Sequence, residues 1–137
     1  MHKQFLISMP KIKVCVIINP VSGTGGKQSI PEKIASAFDP KKYDVIIRLT
    51  GYAGHATEIT KNAVKENYKY VIAAGGDGTV NEIAKALVGT PCVLGIIPLG
   101  SGNGLARDLN ISMSIDKSIE TITKGVERII DYGIANE

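Results

Sequence analysis

The sequence predicts an α/β fold: a three-layer, open, mainly parallel sheet with helices on both faces. Three observations predict it. Four short β-branched runs recur along the chain and are nearly continuous in apolar residues, as expected of strands covered on both sides. Helical patterns lie between them, so strand and helix alternate as in right-handed βαβ units. Three glycine-rich segments each follow a strand, where an open parallel sheet gathers its ligand-binding loops.

In chain order, the first strand is expected at 13–19, "KVCVIIN". A helix over 30–38 opens with Pro31 in its first turn, where the missing N–H is tolerated. The second strand is "YDVIIRL" at 43–49. A helix over 56–67 follows, with apolar residues at 56, 59, 63 and 64 on one face. "YVIAAG" at 70–75 is the third strand, and Val80, Ile83, Ala84, Leu87 and Val88 carry a helix over 80–88. "CVLGIIP" at 92–98 is the fourth strand, and a further helix is expected near 113–124. The final "VERIIDYGIANE" reads as another strand with no turn or closing helix after it, which predicts that the natural protein continues. No internal repeat or low-complexity segment interrupts the pattern.

A length of 137 residues suits one domain with a real core. A hydrophobic fraction of 44% with 21% charged residues is ordinary globular composition. The net charge of +3 is modest, the lysines and arginines are scattered, and aromatic residues are only 5%, a pattern that argues against a nucleic-acid surface. The weak basic bias suits anionic ligands or acidic lipid surfaces. Cys15 and Cys92 lie in or beside apolar runs, outside any CxxC pair, and are expected to be buried, reduced thiols. His2 and His55 are too few for a zinc site. No apolar run approaches the ~18 residues of a membrane span, and the N-terminal apolar stretch is too short for a signal peptide. A cytoplasmic protein is expected.

The glycine segments are "NPVSGTGGK" (19–27), "GGDGT" (75–79) and "PLGSGNG" (98–104). Glycine leaves no Cβ between backbone N–H groups and a ligand oxygen. A helix starting just after such a loop adds its partial positive charge. Together they predict a phosphate or nucleotide site. Walker A fails, because Lys27 is followed by Gln28 and Val21 stands where its first glycine belongs; the dinucleotide GxGxxG fails as well. Asp77, an acid within a loop suited to anions, has two readings that do not exclude each other. It binds Mg²⁺ beside phosphates, directly or through water, or orients a hydroxyl. Alternatively, Asp77 or Thr79 caps a helix beginning near Val80, with Glu82 completing a capping box from Thr79.

The three segments together, "NPVSG", "GGDGTVNE" and "PLGSGNGLAR", resemble the diacylglycerol kinase catalytic domain, whose family includes bacterial lipid kinases and diacylglycerol, sphingosine and ceramide kinases. NAD kinases share GGDGT and phosphofructokinases have a close variant, but "PLGSGNGLARDL" is similar to the lipid kinases alone. The resemblance implies the fold of the NAD kinase, diacylglycerol kinase and phosphofructokinase N-terminal domains. It implies an ATP-dependent lipid kinase moving the γ-phosphoryl of Mg-ATP to a lipid hydroxyl, of diacylglycerol or a related lipid alcohol. Residues 1–125 would be the nucleotide-binding α/β domain. Residues 126–137 would begin a strand leading into a β-rich lipid-binding domain that also supplies the general base. Peripheral membrane contact and a homo-oligomer are further expectations.

By the same resemblance, Asn19, Pro20, Val21, Ser22 and Gly23 form the first nucleotide-contacting turn, and Thr50 lines the nucleotide pocket. Gly76, Asp77, Gly78, Thr79, Val80, Asn81 and Glu82 wrap the phosphates, with Asp77 as the catalytic and Mg²⁺-associated acid. Ser101 replaces a nucleotide-contacting threonine and keeps its hydroxyl. Gly104 departs from the pattern, since many bacterial members have an acid there, which bears on the identity of the lipid. His55 reads as a first-turn polar residue. Arg107 is placed either near phosphates or in a local ion pair, and Lys27 either steers anions or is solvated. No Ser/His/Asp arrangement supports a hydrolase. The rivals are an NAD kinase and a non-catalytic nucleotide-binding regulatory module.

Overall fold

The computed structural model describes residues 10–20, 30–99 and 115–124. Four parallel strands form one sheet: β1 (Ile12–Ile18), β2 (Tyr43–Leu49), β3 (Tyr70–Gly75) and β4 (Val93–Pro98), in the order β2-β1-β3-β4. Among the described residues four helices accompany them: α1 (Ile30–Ser36), α2 (His55–Lys65), α3 (Asp77–Leu87) and α4 (Ile115–Thr123). The expected α/β class, parallel sheet and two-sided helical cover are all present. Residues 126–137, Lys27, Gly104 and Arg107 lie outside the described residues.

The strand sequences are apolar throughout because both faces are covered. Every residue of β3 is buried, and so are Val14 through Ile18 of β1. On one face Cys15, Ile17, Val71, Ala73 and Ile96 pack against Ala56 and Ala63 of α2 and Val80, Ile83 and Leu87 of α3. On the other, Val14, Val16, Ile18, Ile72, Ala74 and Ile97 meet Ile34 of α1 and Ile119 and Ile122 of α4. The two-sided cover follows from topology. The chain steps one way from β1 to β2 through α1 and the opposite way from β2 to β3 and from β3 to β4. Crossovers of constant right-handedness that step in opposite directions place their helices on opposite faces.

Several helix boundaries differ from the sequence expectation, and α1 ends at Ser36 rather than 38. The third helix begins at Asp77 rather than near Val80, with Gly76 as its N-cap. Gly78 and Thr79 are weak helix formers, so the apolar period starts a turn later than the helix does. The second helix ends at Lys65, because Asn67 turns into the left-handed region at φ 63°. Its N–H donates to the Val64 carbonyl (3.1 Å) and that of Tyr68 to the Ala63 carbonyl (3.0 Å), closing the helix in a Schellman motif. Cys15 is fully buried as expected, and burial pushes its thiol up to about 11. Cys92 is only half-buried, because its place before β4 leaves one side open; its Sγ donates to the Tyr68 carbonyl at 3.0 Å.

Candidate functional site

The carboxyl ends of the four strands are laced into one rim. The Thr50 N–H donates to the Ile18 carbonyl (2.9 Å), Asn19 to Ala74 (3.3 Å) and Leu99 to Gly75 (3.3 Å). Between β1 and β3 the chain leaves toward opposite faces, into α1 below and α3 above. That divergence is the topological switch point at which open α/β sheets form their ligand crevice. Asn19 and Pro20 lie on its β1 side, and Gly76 with the start of α3 on its β3 side. Thr50, half-buried, stands two strand spacings from Gly75, about 10 Å along the rim.

The first turn of α3 turns backbone N–H groups toward the switch point. The helix supplies no acceptor for the N–H groups of Asp77, Gly78 and Thr79, since its first internal bond runs from Val80 N–H to the Gly76 carbonyl (3.1 Å). Gly76 is extended, at φ −94° and ψ −167°, and Gly78 is not at positive φ. A Cβ added at either would meet nothing within 4 Å. Neither backbone strain nor crowding among the described residues therefore calls for glycine here. What glycine leaves is open space in front of backbone N–H groups at the positive end of a helix.

Asp77 is exposed at the first helical position, and the N-cap is Gly76, which has no side chain to cap the helix with. The capping readings are thereby corrected. Thr79 is inside the helix, too far along to cap it, so Glu82 cannot close a capping box from it. The Glu82 side chain instead holds one buried oxygen, Oε1, that has no hydrogen-bond partner among the described residues. A buried carboxylate oxygen without a donor is costly and is met by a cation, a ligand N–H or O–H, or a bound water. Glu82 stands one turn beyond Gly78 on the same side of α3. Thr79 is buried, at 6% exposure, and Asn81 is exposed. The Val80 side chain is wholly in the core, so only its backbone lies in the loop. Val21, Ser22, Gly23 and Ser101 lie outside the described residues.

His55 is a structural residue. Its Nδ1 accepts from the Gly51 N–H at 2.8 Å, and its ring stacks on Tyr52 with centroids 4.3 Å apart. Tyr52 in turn donates to Glu58 Oε1 at 2.8 Å, a bond that raises the phenol's pKa. The Tyr52–His55 stack was missed in the sequence. Its one signal was the spacing of three across a helix start. Among the described residues no three His, Cys, Asp or Glu side chains gather to hold a metal.

The family model of the diacylglycerol kinase catalytic domain matches residues 13–135. The chain belongs to that family. Within the diacylglycerol kinase catalytic domain family, it is 36% identical over 124 residues to a diacylglycerol kinase of Bacillus subtilis (strain 168), covering 88% of this chain and 41% of that protein. It is 33% identical over 124 residues to a diacylglycerol kinase of Staphylococcus carnosus (strain TM300), covering 88% and 40%. A crystal structure of a diacylglycerol kinase from Bacillus anthracis superposes with a TM-score of 0.67 at 29% identity, over 83% of this chain and 42% of that one. The chain thus spans about two fifths of the length of the curated relatives it matches. Among the described residues, no helix is long and apolar enough to cross a membrane.

Proposed function

We propose that this chain is the nucleotide-binding part of an ATP-dependent lipid kinase that phosphorylates diacylglycerol or a related lipid alcohol. The observation that carries the reading is the open space at Gly76 and Gly78 before the first turn of α3, at the switch point of the sheet. The residues present fit Mg-ATP: unspanned amides for phosphate oxygens, an exposed acid at Asp77 and an unsatisfied oxygen on Glu82. Phosphoryl transfer demands positioning and neutralisation of charge more than covalent chemistry. Mg²⁺ would supply that neutralisation between phosphate oxygens, with phosphates and water completing its oxygen shell.

In this reading Asp77 holds the cation directly or through water, and Glu82 accepts from a water or ligand donor nearby. The N–H groups of Asp77, Gly78 and Thr79 orient the phosphate chain, and Asn81 lies beside them. Asn19 and Pro20, with Val21, Ser22 and Gly23 by resemblance, form the opposite wall. Thr50 and Ser101 line the nucleotide further along. The lipid site, the general base and the peripheral membrane contact belong to a second domain in the full-length protein, which is expected in the cytoplasm.

The test is direct. Labelled ATP with a panel of lipid alcohols, incubated with the full-length protein, should yield a phosphorylated lipid in the presence of Mg²⁺. ATP binding without any lipid product would leave a nucleotide-binding regulatory module; phosphorylation of NAD instead would overturn the lipid reading.

A further inference from the structure

We propose that the outer edge of β2 pairs antiparallel with the same edge of a second copy of this chain, making one continuous sheet across a twofold axis. The strand ends the sheet among the described residues. The Lys42 carbonyl accepts from the Ile12 N–H (2.8 Å) and the Thr50 N–H donates to the Ile18 carbonyl (2.9 Å), so the even-numbered residues turn their backbone groups toward β1. Residues Tyr43, Val45, Ile47 and Leu49 therefore turn theirs outward. The Tyr43 N–H is already engaged by the Asp39 carbonyl (2.9 Å), which closes the ladder at that end but leaves its carbonyl facing out.

Such an edge is a template for another strand. Its sequence, YDVIIRL, is self-complementary about Ile46. With Ile46 on the twofold axis, Val45 exchanges backbone hydrogen bonds with Ile47 of the second copy, and the Leu49 N–H reaches the carbonyl of the second copy's Tyr43. The intervening residues fall in the closer, non-hydrogen-bonded pairs. There Asp44 faces Arg48 of the second copy twice by symmetry, flanking Ile46 against Ile46. Asp44 and Arg48 are both exposed, and neither is in a salt bridge among the described residues. Sliding the register by two residues sets either Asp44 against Ile46 and Arg48 against Lys42, or Arg48 against Ile46 and Asp44 against Thr50, and an in-register parallel arrangement sets like charge beside like. The pairing also covers Leu49, which is 52% exposed, by placing it opposite Tyr43.

Sedimentation equilibrium on the chain over a concentration series tests this. Wild type should pass reversibly from monomer to dimer, and added salt should weaken it. Asp44→Arg and Arg48→Asp should each weaken association by about tenfold or more, because two attractive pairs become repulsive. The two single variants mixed should form a heterodimer, and the double variant D44R/R48D should dimerise again, since each restores opposite signs. Far-UV circular dichroism checks that the variants fold. A wild type that stays monomeric overturns the proposal. So do single variants that dimerise like wild type, and a folded double variant or mixture that remains monomeric.

Discussion

Gly76 separates folding from binding at a single atom. A Cβ there meets nothing within 4 Å among the described residues and the backbone is extended, but valine is disfavoured at an N-cap, so Gly76→Val should cost no more than about 1 kcal/mol of stability. ATP affinity, measured by calorimetry, should nonetheless fall by at least ~1.4 kcal/mol, a tenfold loss. Unchanged affinity would remove this loop from the phosphate site. Asp77→Asn keeps the size and shape of the side chain at an exposed position, so it should fold and lose chiefly the Mg²⁺ dependence of ATP binding; an unaltered Mg²⁺ titration would refute a metal role. Cys15 makes a different prediction. Burial holds its thiol neutral to about 11 against an ordinary 9.0, so the folded state retains the proton more tightly than the unfolded chain. That contribution is whole below pH about 9 and is lost as pH rises toward 11, on the order of 1–3 kcal/mol in all. Denaturant midpoints over this range should fall more steeply for wild type than for Cys15→Ala. Parallel slopes would contradict the assignment.

Among the elements, β4 and α4 meet most closely at Gly95. A Cβ built there would lie 2.9 Å from Ile122 Cδ1, 3.0 Å from Ile72 Cγ1 and 3.2 Å from Ile122 Cγ1. The tip of Ile122 can swing aside, but Ile72 is held within the sheet. Gly95→Ala should therefore cost about 1–3 kcal/mol. Ile122→Val, which removes Cδ1, should recover part of that cost in a double-mutant cycle. Strictly additive losses would show that α4 and β4 do not meet there. This contact could not be read from "CVLGIIP", since a glycine in a strand marks a close approach without naming its partner. The strands themselves were legible because burial on both faces demands unbroken β-branched runs, as in "KVCVII" and "YVIAAG". The start of α3 was not, since Gly78 and Thr79 hide a helical turn, and neither was the end of α2, since Asn67 must adopt positive φ to make it. The unsatisfied oxygen of Glu82 depends on packing around α3, which no local spacing encodes.

For the whole molecule, the share of the relatives covered sets the expectation. Matching 41% of the Bacillus subtilis diacylglycerol kinase, residues 1–137 should bind ATP yet fail to phosphorylate lipid, because acceptor and donor cannot be held in line without the remainder. Assaying both activities on residues 1–137 and on the full-length protein checks this, and full lipid kinase activity in the shorter chain would defeat it. The strand order has a consequence in time as well. β1 is made first but takes a central place, with Val14 through Ile18 bonded to β2 on one side and to residues Tyr70 through Ala74 on the other. On the ribosome, at roughly 5–20 residues per second, on the order of 3–10 s separate completion of β1 from completion of β3. Throughout that interval a largely apolar strand of the domain has one raw flank. Nascent chains of this protein should thus engage chaperones early and release them only once β3 has emerged, so that pauses in translation between β2 and β3 would lower the yield of native protein more than pauses after β4.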